Sequence, residues 1–116
     1  MIVVPGGPGV IELRKQGTLA STLKAFAPSG KPIAAICAAP LLLHDAGLLQ
    51  DKRFTSHDSC WQELPLSLPK DAVVIDGAII TSQGAGTALS FGLTLVEILV
   101  GAELRKQVEK AIMLPA

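Results

Sequence analysis

Two short runs of apolar residues, Ile2–Val4 and Ile33–Ile36, constrain the fold more than any other feature of this sequence. Neither run alternates apolar with polar residues. Continuous runs of this kind are typical of strands that are buried on both faces of a parallel sheet. Each run is followed by a segment in which apolar residues recur with helical spacing. Strands that alternate with helices predict an α/β fold with a doubly wound, mostly parallel sheet.

The remaining segments supply further helices and strands. Leu19, Leu23 and Phe26 share one face of a helix that is predicted from Thr18 and closed by Pro28–Pro32. The other predicted elements are a helix from Ala38 to a stop at Gly47, a short strand at Arg53–Ser56, a loop over 57–71, a hairpin of two β runs in Ala72–Ser82 around Asp76-Gly77, a helix at Thr87–Val100, and a last amphipathic helix carrying Leu104, Val108 and Ile112.

Length and composition limit the classes of protein to which the chain can belong. Residues 1–116 are enough for a single domain, and its core must be aliphatic because 49% of the residues are apolar and only 3% are aromatic. Ten Lys and Arg balance ten Asp and Glu, which argues against a nucleic-acid-binding surface. The longest apolar stretch, Ile33–Leu43, is too short to cross a membrane, and no basic signal-peptide region precedes it. Two cysteines without a secretion signal predict free thiols and a cytoplasmic location.

Cys37 stands at the junction between a predicted strand and a predicted helix, in the sequence "IAAICAAP". A nucleophile elbow has this arrangement, with its side chain raised at the carboxyl end of the sheet, where open α/β sheets bind ligands. The N-terminus of the following helix would favour the thiolate form, and the N–H of Ala38 would be placed to bind an oxyanion. The alternative is a small buried residue, because free cysteine is often part of the core.

Two glycine-containing loops follow other predicted strands and should face the same crevice. In "PGGPG", residues 5–9, Gly6 and Gly7 allow a close backbone approach and offer N–H donors. The loop "SQGAGT", residues 82–87, precedes a helix and suits an anion. Each loop alone is also consistent with a tight turn, whereas three such loops around one thiol favour a ligand site.

Two histidines and a second cysteine complete the set of reactive side chains. His57, in "TSHDSC", is the candidate base for Cys37, although a loop histidine is often merely solvated. His44 is expected on a helix surface, and Cys60, beside Trp61, is expected to be an incidental thiol. This scatter makes a poor zinc site, and the sequence has no dinucleotide-binding fingerprint. We therefore expect neither a metal nor a cofactor.

Taken together, "VVPGG", "IAAICAAP", "TSH" and "ITSQGAGTALSFGLTLVEILVG" resemble the ThiJ/PfpI superfamily, on its parkinsonism-associated deglycase branch. The resemblance spans nearly the whole chain. It implies a flavodoxin-like fold in which Cys37 is the nucleophile, Gly7 and Ala38 supply oxyanion donors, and His57 is the histidine near the cysteine. It also implies a homodimer and a cofactor-free activity, glyoxalase or deglycase, on methylglyoxal and similar reactive aldehydes.

Two departures from the family pattern modify these expectations. Ala38 replaces the histidine that follows the cysteine in the protease-like branch, which argues against peptidase activity. The family's first strands, and a glutamate that contacts the nucleophile, have no counterpart in this sequence. We therefore expect an N-terminally incomplete domain, whose missing strand would lie between the two apolar runs and the rest of the sheet.

Three functions stay open on the sequence alone. The first is an enzyme in which the Cys37 thiolate adds to an aldehyde and His57 relays a proton, with release of a hydroxy acid such as lactate. The second is a redox sensor or chaperone-like stress protein in which Cys37 oxidises to the sulfinate. The third is an inactive fragment that needs a partner, either a complementing chain or a second copy.

Overall fold

The computed structural model describes residues 1–115 and contains four short strands and five α-helices. The strands are β1 (Ile2–Val4), β2 (Ile33–Ile36), β3 (Val73–Asp76) and β4 (Ile79–Ser82), and the helices are α1 (Gly9–Gln16), α2 (Thr18–Phe26), α3 (Pro40–Asp45), α4 (Ala88–Val100) and α5 (Ala102–Ala111). Single 3-10 turns lie at Ala27–Ser29, Asp58–Cys60 and Ala85–Thr87. Within residues 1–115, no helix combines the length and the apolar character that a membrane crossing needs.

The sheet has the strand order β1-β2-β4-β3, which confirms the predicted α/β fold with a mostly parallel sheet. Strand β2 pairs in parallel with β1 on one side and with β4 on the other, and β3 runs antiparallel to β4. The predicted hairpin is confirmed, but its two-residue turn is Gly77-Ala78, one residue later than the predicted Asp76-Gly77, because Asp76 belongs to β3 and pairs with Ile79. The carboxyl ends of β1, β2 and β4 lie at one edge of the sheet, where the three loops were predicted to meet.

The predicted position of a missing strand is wrong. A strand between the two apolar runs and the rest of the sheet has no place there, because β2 pairs directly with both β1 and β4. Within the described sheet, β1 and β3 are the outer strands, so a further strand could pair only beyond one of them.

Aliphatic side chains pack on both faces of the sheet, as the apolar runs predict. Ile33 and Ala35 of β2 point into one core, together with residues of α1, α2 and α3. Ala34 points the other way, into a smaller core with Phe91 and Leu95 of α4. Because β2 is covered on both sides, neither of its faces favours a polar residue, which accounts for the absence of alternation in its sequence.

Helix α1 is an element that the sequence pattern does not predict, whereas the predicted helix from Thr18 is confirmed as α2. Gly17 separates the two helices with a left-handed backbone, φ 73°, and its N–H donates to Leu13 O at 3.2 Å. Glycine adopts this conformation without the steric cost that a Cβ atom brings, so one helix can end and the next can begin at a single residue.

The predicted strand at Arg53–Ser56 is wrong, because two of its N–H groups donate to side chains and Phe54 O accepts from the Leu68 N–H, in a loop, instead of from a neighbouring strand. The Arg53 N–H donates to the Asp76 carboxylate at 2.9 Å, and the Thr55 N–H donates to the Thr81 hydroxyl at 2.9 Å. The Thr55 hydroxyl in turn donates to Leu68 O at 2.6 Å. Phe54, Thr55 and Ser56 are buried and Arg53 is exposed, and the segment lies beside the sheet without joining it.

An ion cluster ties α1 to two distant parts of the chain. The Arg14 guanidinium bonds both carboxylate oxygens of Asp45, at the end of α3, with distances of 2.8 and 2.9 Å. It also forms a two-point contact with Glu63, in the loop after the Asp58–Cys60 turn. The Arg14 guanidinium lowers the pKa of the Glu63 carboxyl, mainly through these hydrogen bonds.

Candidate functional site

Cys37 has a left-handed backbone, φ 66°, directly after β2. A residue with a side chain adopts this conformation at a cost of roughly 1–3 kcal/mol, and only where the surrounding structure holds it. The Cys37 N–H donates to Ser82 O at 3.0 Å, and the Cys37 carbonyl accepts from the His57 N–H at 2.9 Å. The backbone therefore has the sharp, strained turn of a nucleophile elbow. The role of Cys37 as the nucleophile stays a prediction.

Gly6, in the loop after β1, lies directly against this elbow. A Cβ atom at position 6 would lie 2.6 Å from the Cβ of Cys37, 2.9 Å from Ile36 O and 3.2 Å from the Ala38 nitrogen. Only a residue without a side chain fits in that space. The structure thus brings Gly6 and Cys37 into contact, as the pattern of strand-end loops predicts.

The backbone N–H groups of Ala38 and Gly7, near the elbow, have no acceptor within residues 1–115. In residues 37–40, the N–H of Cys37 is bonded to Ser82 O, that of Ala39 is bonded to Ile36 O, and Pro40 has none, so Ala38 keeps the one free donor. The N–H of Gly7 likewise donates to no group of residues 1–115, and its φ of 105° is a conformation that favours glycine. Free, fixed N–H donors of this kind are what an oxyanion requires.

Helix α3 contributes less to the site than the sequence suggests. It begins at Pro40, three residues beyond Cys37, and is only six residues long. The predicted start at Ala38 is therefore too early, since Ala38 and Ala39 belong to a turn. The N–H of Ala38 is oriented by the elbow turn itself.

His57 is joined to Cys37 through the backbone hydrogen bond already described, and its side chain is partly exposed. The ring nitrogen Nδ1 accepts a hydrogen bond from the Ser59 N–H at 3.1 Å. The Ser59 hydroxyl lies 2.8 Å from the same nitrogen, and an Asp58 carboxylate oxygen lies 3.2 Å from it. The polar contacts that Ser59 and Asp58 make with the ring are thus all at Nδ1.

A cleft of about 480 Å³ extends from His57 to the turn that precedes α4. It is lined by Ser56, His57, Asp58, Trp61, Pro69 and residues 83–87. Cys37 lies outside this lining, so the cleft meets the candidate site on its His57 side. The loop 82–87 therefore serves as a wall of the cleft beside His57.

The other reactive side chains lie where the sequence places them. Cys60 is only 3% exposed, and burial raises the pKa of its thiol. Both cysteines are free, and Cys37 is partly accessible. His44 is exposed on α3. Residues 1–115 contain no group of three or more His, Cys, Asp or Glu side chains that could hold a metal ion.

Two serines that matter to this arrangement are missing from the sequence-based site. Ser82 supplies the carbonyl that holds the Cys37 N–H, and Ser59 contacts the imidazole of His57. A backbone carbonyl leaves no trace in the residue type, so no pattern could have identified Ser82. For Ser59 the spacing in the sequence was available, because a side-chain acceptor often bonds to the backbone N–H two residues later, although His57 is not one of the residue types for which this is usual.

Comparisons with known proteins identify the family to which the chain belongs. The sequence model described as the DJ-1/PfpI family matches residues 1–98, which include all four strands and most of α4. "Protein DJ-1alpha" of Drosophila melanogaster is 40% identical over 117 residues, covering 97% of this chain and 54% of that protein. "Glutathione-independent glyoxalase DJR-1.2" of Caenorhabditis elegans is 37% identical over 117 residues, covering 98% of this chain and 62% of that protein.

A solved structure agrees with the sequence comparisons. The crystal structure of Drosophila melanogaster DJ-1beta superposes with a TM-score of 0.89 at 34% identity, covering 98% of this chain and 64% of that chain. The chain therefore spans between about half and two thirds of the length of these relatives. The resemblance found in the sequence is confirmed by the matched residues and by the shared fold: the chain belongs to the DJ-1/PfpI family.

Proposed function

We propose that the protein is a cysteine-dependent, cofactor-free glyoxalase that acts on methylglyoxal-like aldehydes. The observation that carries the proposal is the strained Cys37 elbow beside two backbone N–H groups, those of Gly7 and Ala38, that have no acceptor in residues 1–115. The glyoxalase name of one relative supports the choice of substrate class. A deglycase activity on aldehyde adducts would use the same thiol and the same donors.

The chemistry needs a thiol, oxyanion donors and proton transfer. The Cys37 thiolate would add to the aldehyde carbon and form a hemithioacetal, whose oxyanion the N–H groups of Gly7 and Ala38 would stabilise. The hydrogen on that carbon then moves as a proton, through an enediol, to the neighbouring ketone carbon. The first carbon is thereby oxidised to a thioester and the second is reduced to an alcohol. Water cleaves the thioester, releases lactate and restores the thiol.

The test is lactate formation from methylglyoxal without glutathione or nicotinamide cofactor. We expect turnover by the wild-type protein and by Cys60→Ser, and none by Cys37→Ser. Activity should survive EDTA, because no step uses a metal. Equal lactate formation by Cys37→Ser, or its loss on chelation, would overturn the proposal.

The difference in exposure between the two thiols favours a second candidate function, oxidant sensing through Cys37. Cys37 is partly accessible, whereas Cys60 is buried, so peroxide should oxidise Cys37 selectively. Intact-mass measurement after peroxide treatment should then show two added oxygens on the wild type and on Cys60→Ser, and none on Cys37→Ser. Selective oxidation combined with no turnover would favour the sensor over the enzyme.

A further inference from the structure

Ser59 holds the imidazole ring of His57 from its Nδ1 side. Its N–H donates to Nδ1 at 3.1 Å, and its hydroxyl oxygen lies 2.8 Å from the same atom. These contacts follow from the local chain path. His57 has an extended backbone, φ −62° and ψ 146°, and caps the Asp58–Cys60 turn, so the N–H two residues later points back at its ring.

The contact with the Ser59 N–H favours one ring nitrogen of His57 over the other as the site of the proton. A backbone N–H can only donate, so Nδ1 must accept and is unprotonated in this arrangement. The single proton of a neutral imidazole then lies on Nε2. Gly84 lies beyond the other side of the ring, because a Cβ atom there would be 3.4 Å from Cδ2, the carbon next to Nε2.

Asp58 is the group that opposes this tautomer. Its carboxylate oxygen lies 3.2 Å from Nδ1 and, as an acceptor, would require a proton there. The Asp58 side chain is 72% exposed, so water competes for it and screens its charge. Ser59 opposes it with its N–H, which can only donate to Nδ1, and the Ser59 hydroxyl can donate to the same nitrogen while Nδ1 carries no proton, so we expect Ser59 to prevail.

We propose that Ser59 is a positioning residue that fixes the Nε2–H tautomer of His57, so that His57 donates a hydrogen bond to a substrate oxygen instead of taking a proton from Cys37. The proposal rests on the proposed function, since the oxygen belongs to the aldehyde substrate. A neutral imidazole with a proton on Nε2 can polarise a carbonyl and stabilise an enediolate, as the backbone N–H groups do. A base that acts at Nε2 would need that nitrogen to be bare.

The first test is a long-range proton–nitrogen correlation spectrum of uniformly nitrogen-labelled protein, recorded at mildly alkaline pH. The exposed His44 serves as an internal reference, and His57→Gln assigns the signals. We expect His57 to show a protonated Nε2 and an unprotonated Nδ1. A spectrum dominated by the Nδ1–H tautomer would overturn the proposal.

Variants of Ser59 separate positioning from simple structural support. Ser59→Ala removes the hydroxyl donor, so the Nδ1–H population of His57 should rise severalfold as Asp58 competes. Ser59→Thr, which keeps a hydroxyl, should restore the wild-type ratio, and Asp58→Asn added to Ser59→Ala should reverse the rise. Because Ser59→Ala keeps the backbone N–H, a tautomer ratio that does not change in this variant would show that the N–H alone sets the tautomer, and would contradict the positioning role of the Ser59 side chain.

Kinetic measurements test whether His57 acts as a donor or as a base. Ser59→Ala should lower kcat for methylglyoxal about tenfold, and neither it nor His57→Gln should change the alkylation rate of Cys37 by more than about twofold. Slower alkylation in His57→Gln would identify His57 as the base and overturn the proposal. The spectrum and the alkylation rate can be measured without turnover. An absence of lactate would therefore overturn the glyoxalase proposal, while these two measurements would still decide which tautomer His57 adopts.

Discussion

A Cβ atom on Gly6 would lie 2.6 Å from the Cβ of Cys37, closer than such atoms pack in folded proteins. The loop after β1 and the elbow after β2 are therefore in direct contact at the candidate site. A side chain at position 6 must displace either the loop or the elbow. The backbone at Cys37 has little freedom to adjust without leaving its left-handed conformation.

Gly6→Ala should therefore lower the reactivity of the Cys37 thiol more than it lowers the stability of the fold. We expect the alkylation rate of Cys37, and any turnover, to fall on the order of a hundredfold, as is typical when reacting groups are displaced by about 1 Å. Gly9→Ala is the matched control, because a Cβ atom there meets nothing within 4 Å. Alkylation and urea unfolding of both variants check the expectation, and a Gly6→Ala protein with wild-type thiol reactivity would contradict it.

Cys37 should react with electrophiles before Cys60. The Cys60 thiol is buried and its pKa is raised from the ordinary 9.0 by burial, so little thiolate is available at neutral pH. One equivalent of iodoacetamide, followed by peptide mapping, should place the label on Cys37 in the wild type and in Cys60→Ser. Preferential labelling of Cys60 would show that the elbow does not present its thiol.

The Arg14 cluster should stabilise the fold at neutral pH and lose its contribution in acid. The folded-state pKa of Glu63 lies below its ordinary value of 4.5, so the stabilisation is present above that value and is lost as the pH falls through the lowered pKa. Arg14→Gln should cost about 1 kcal/mol in the free energy of unfolding, because these partly exposed charges are screened by solvent.

The check for the Arg14 cluster is urea unfolding at neutral pH and at a pH well below the carboxyl range. Lys15→Gln, at the exposed neighbouring position, is the control that changes the charge equally. The difference in unfolding free energy between the two variants should shrink in acid. A difference that is the same at both pH values would argue against an electrostatic role for Arg14.

We also expect the chain to associate in solution, as a homodimer or with a complementing chain. Strand β1 is an outer strand of the sheet, and its Val3 side chain is 47% exposed. Helix α4 exposes Leu89 and Leu99 to more than half of their surface. Apolar surface of this kind marks interaction sites. Native mass spectrometry of the purified protein should show an assembly larger than 12.0 kDa, and a stable, active monomer would contradict the expectation.

The sequence predicts those parts of the fold that depend on local chemistry or on burial. The apolar runs that become β1 and β2, and the turn after Asp76, are visible because a covered strand excludes polar residues and a tight turn favours glycine. The position of the elbow can be predicted for a similar reason, because Cys37 stands where the apolar run of β2 ends.

Features that depend on distant side chains are hidden from the sequence. Helix α1 is short and buries only Val10, and its Arg14 is held by Asp45 and Glu63 from far along the chain. In the segment Arg53–Ser56, β-forming residues suggest a strand, but the N–H groups of Arg53 and Thr55 donate to the side chains of Asp76 and Thr81. Neither outcome could be predicted without knowing which segments become neighbours.

The parallel pairing of β2 with both β1 and β4 has a consequence for the order of folding. Gly6, Cys37 and Ser82 come from well-separated parts of the chain and meet only after non-local strand pairing, which is slow compared with helix formation. A nascent or nicked chain would carry Cys37 as an ordinary flexible thiol, without the neighbours that shape it. The rate at which Cys37 gains its reactivity during refolding should therefore report the closure of the central sheet, later than the appearance of helical signal.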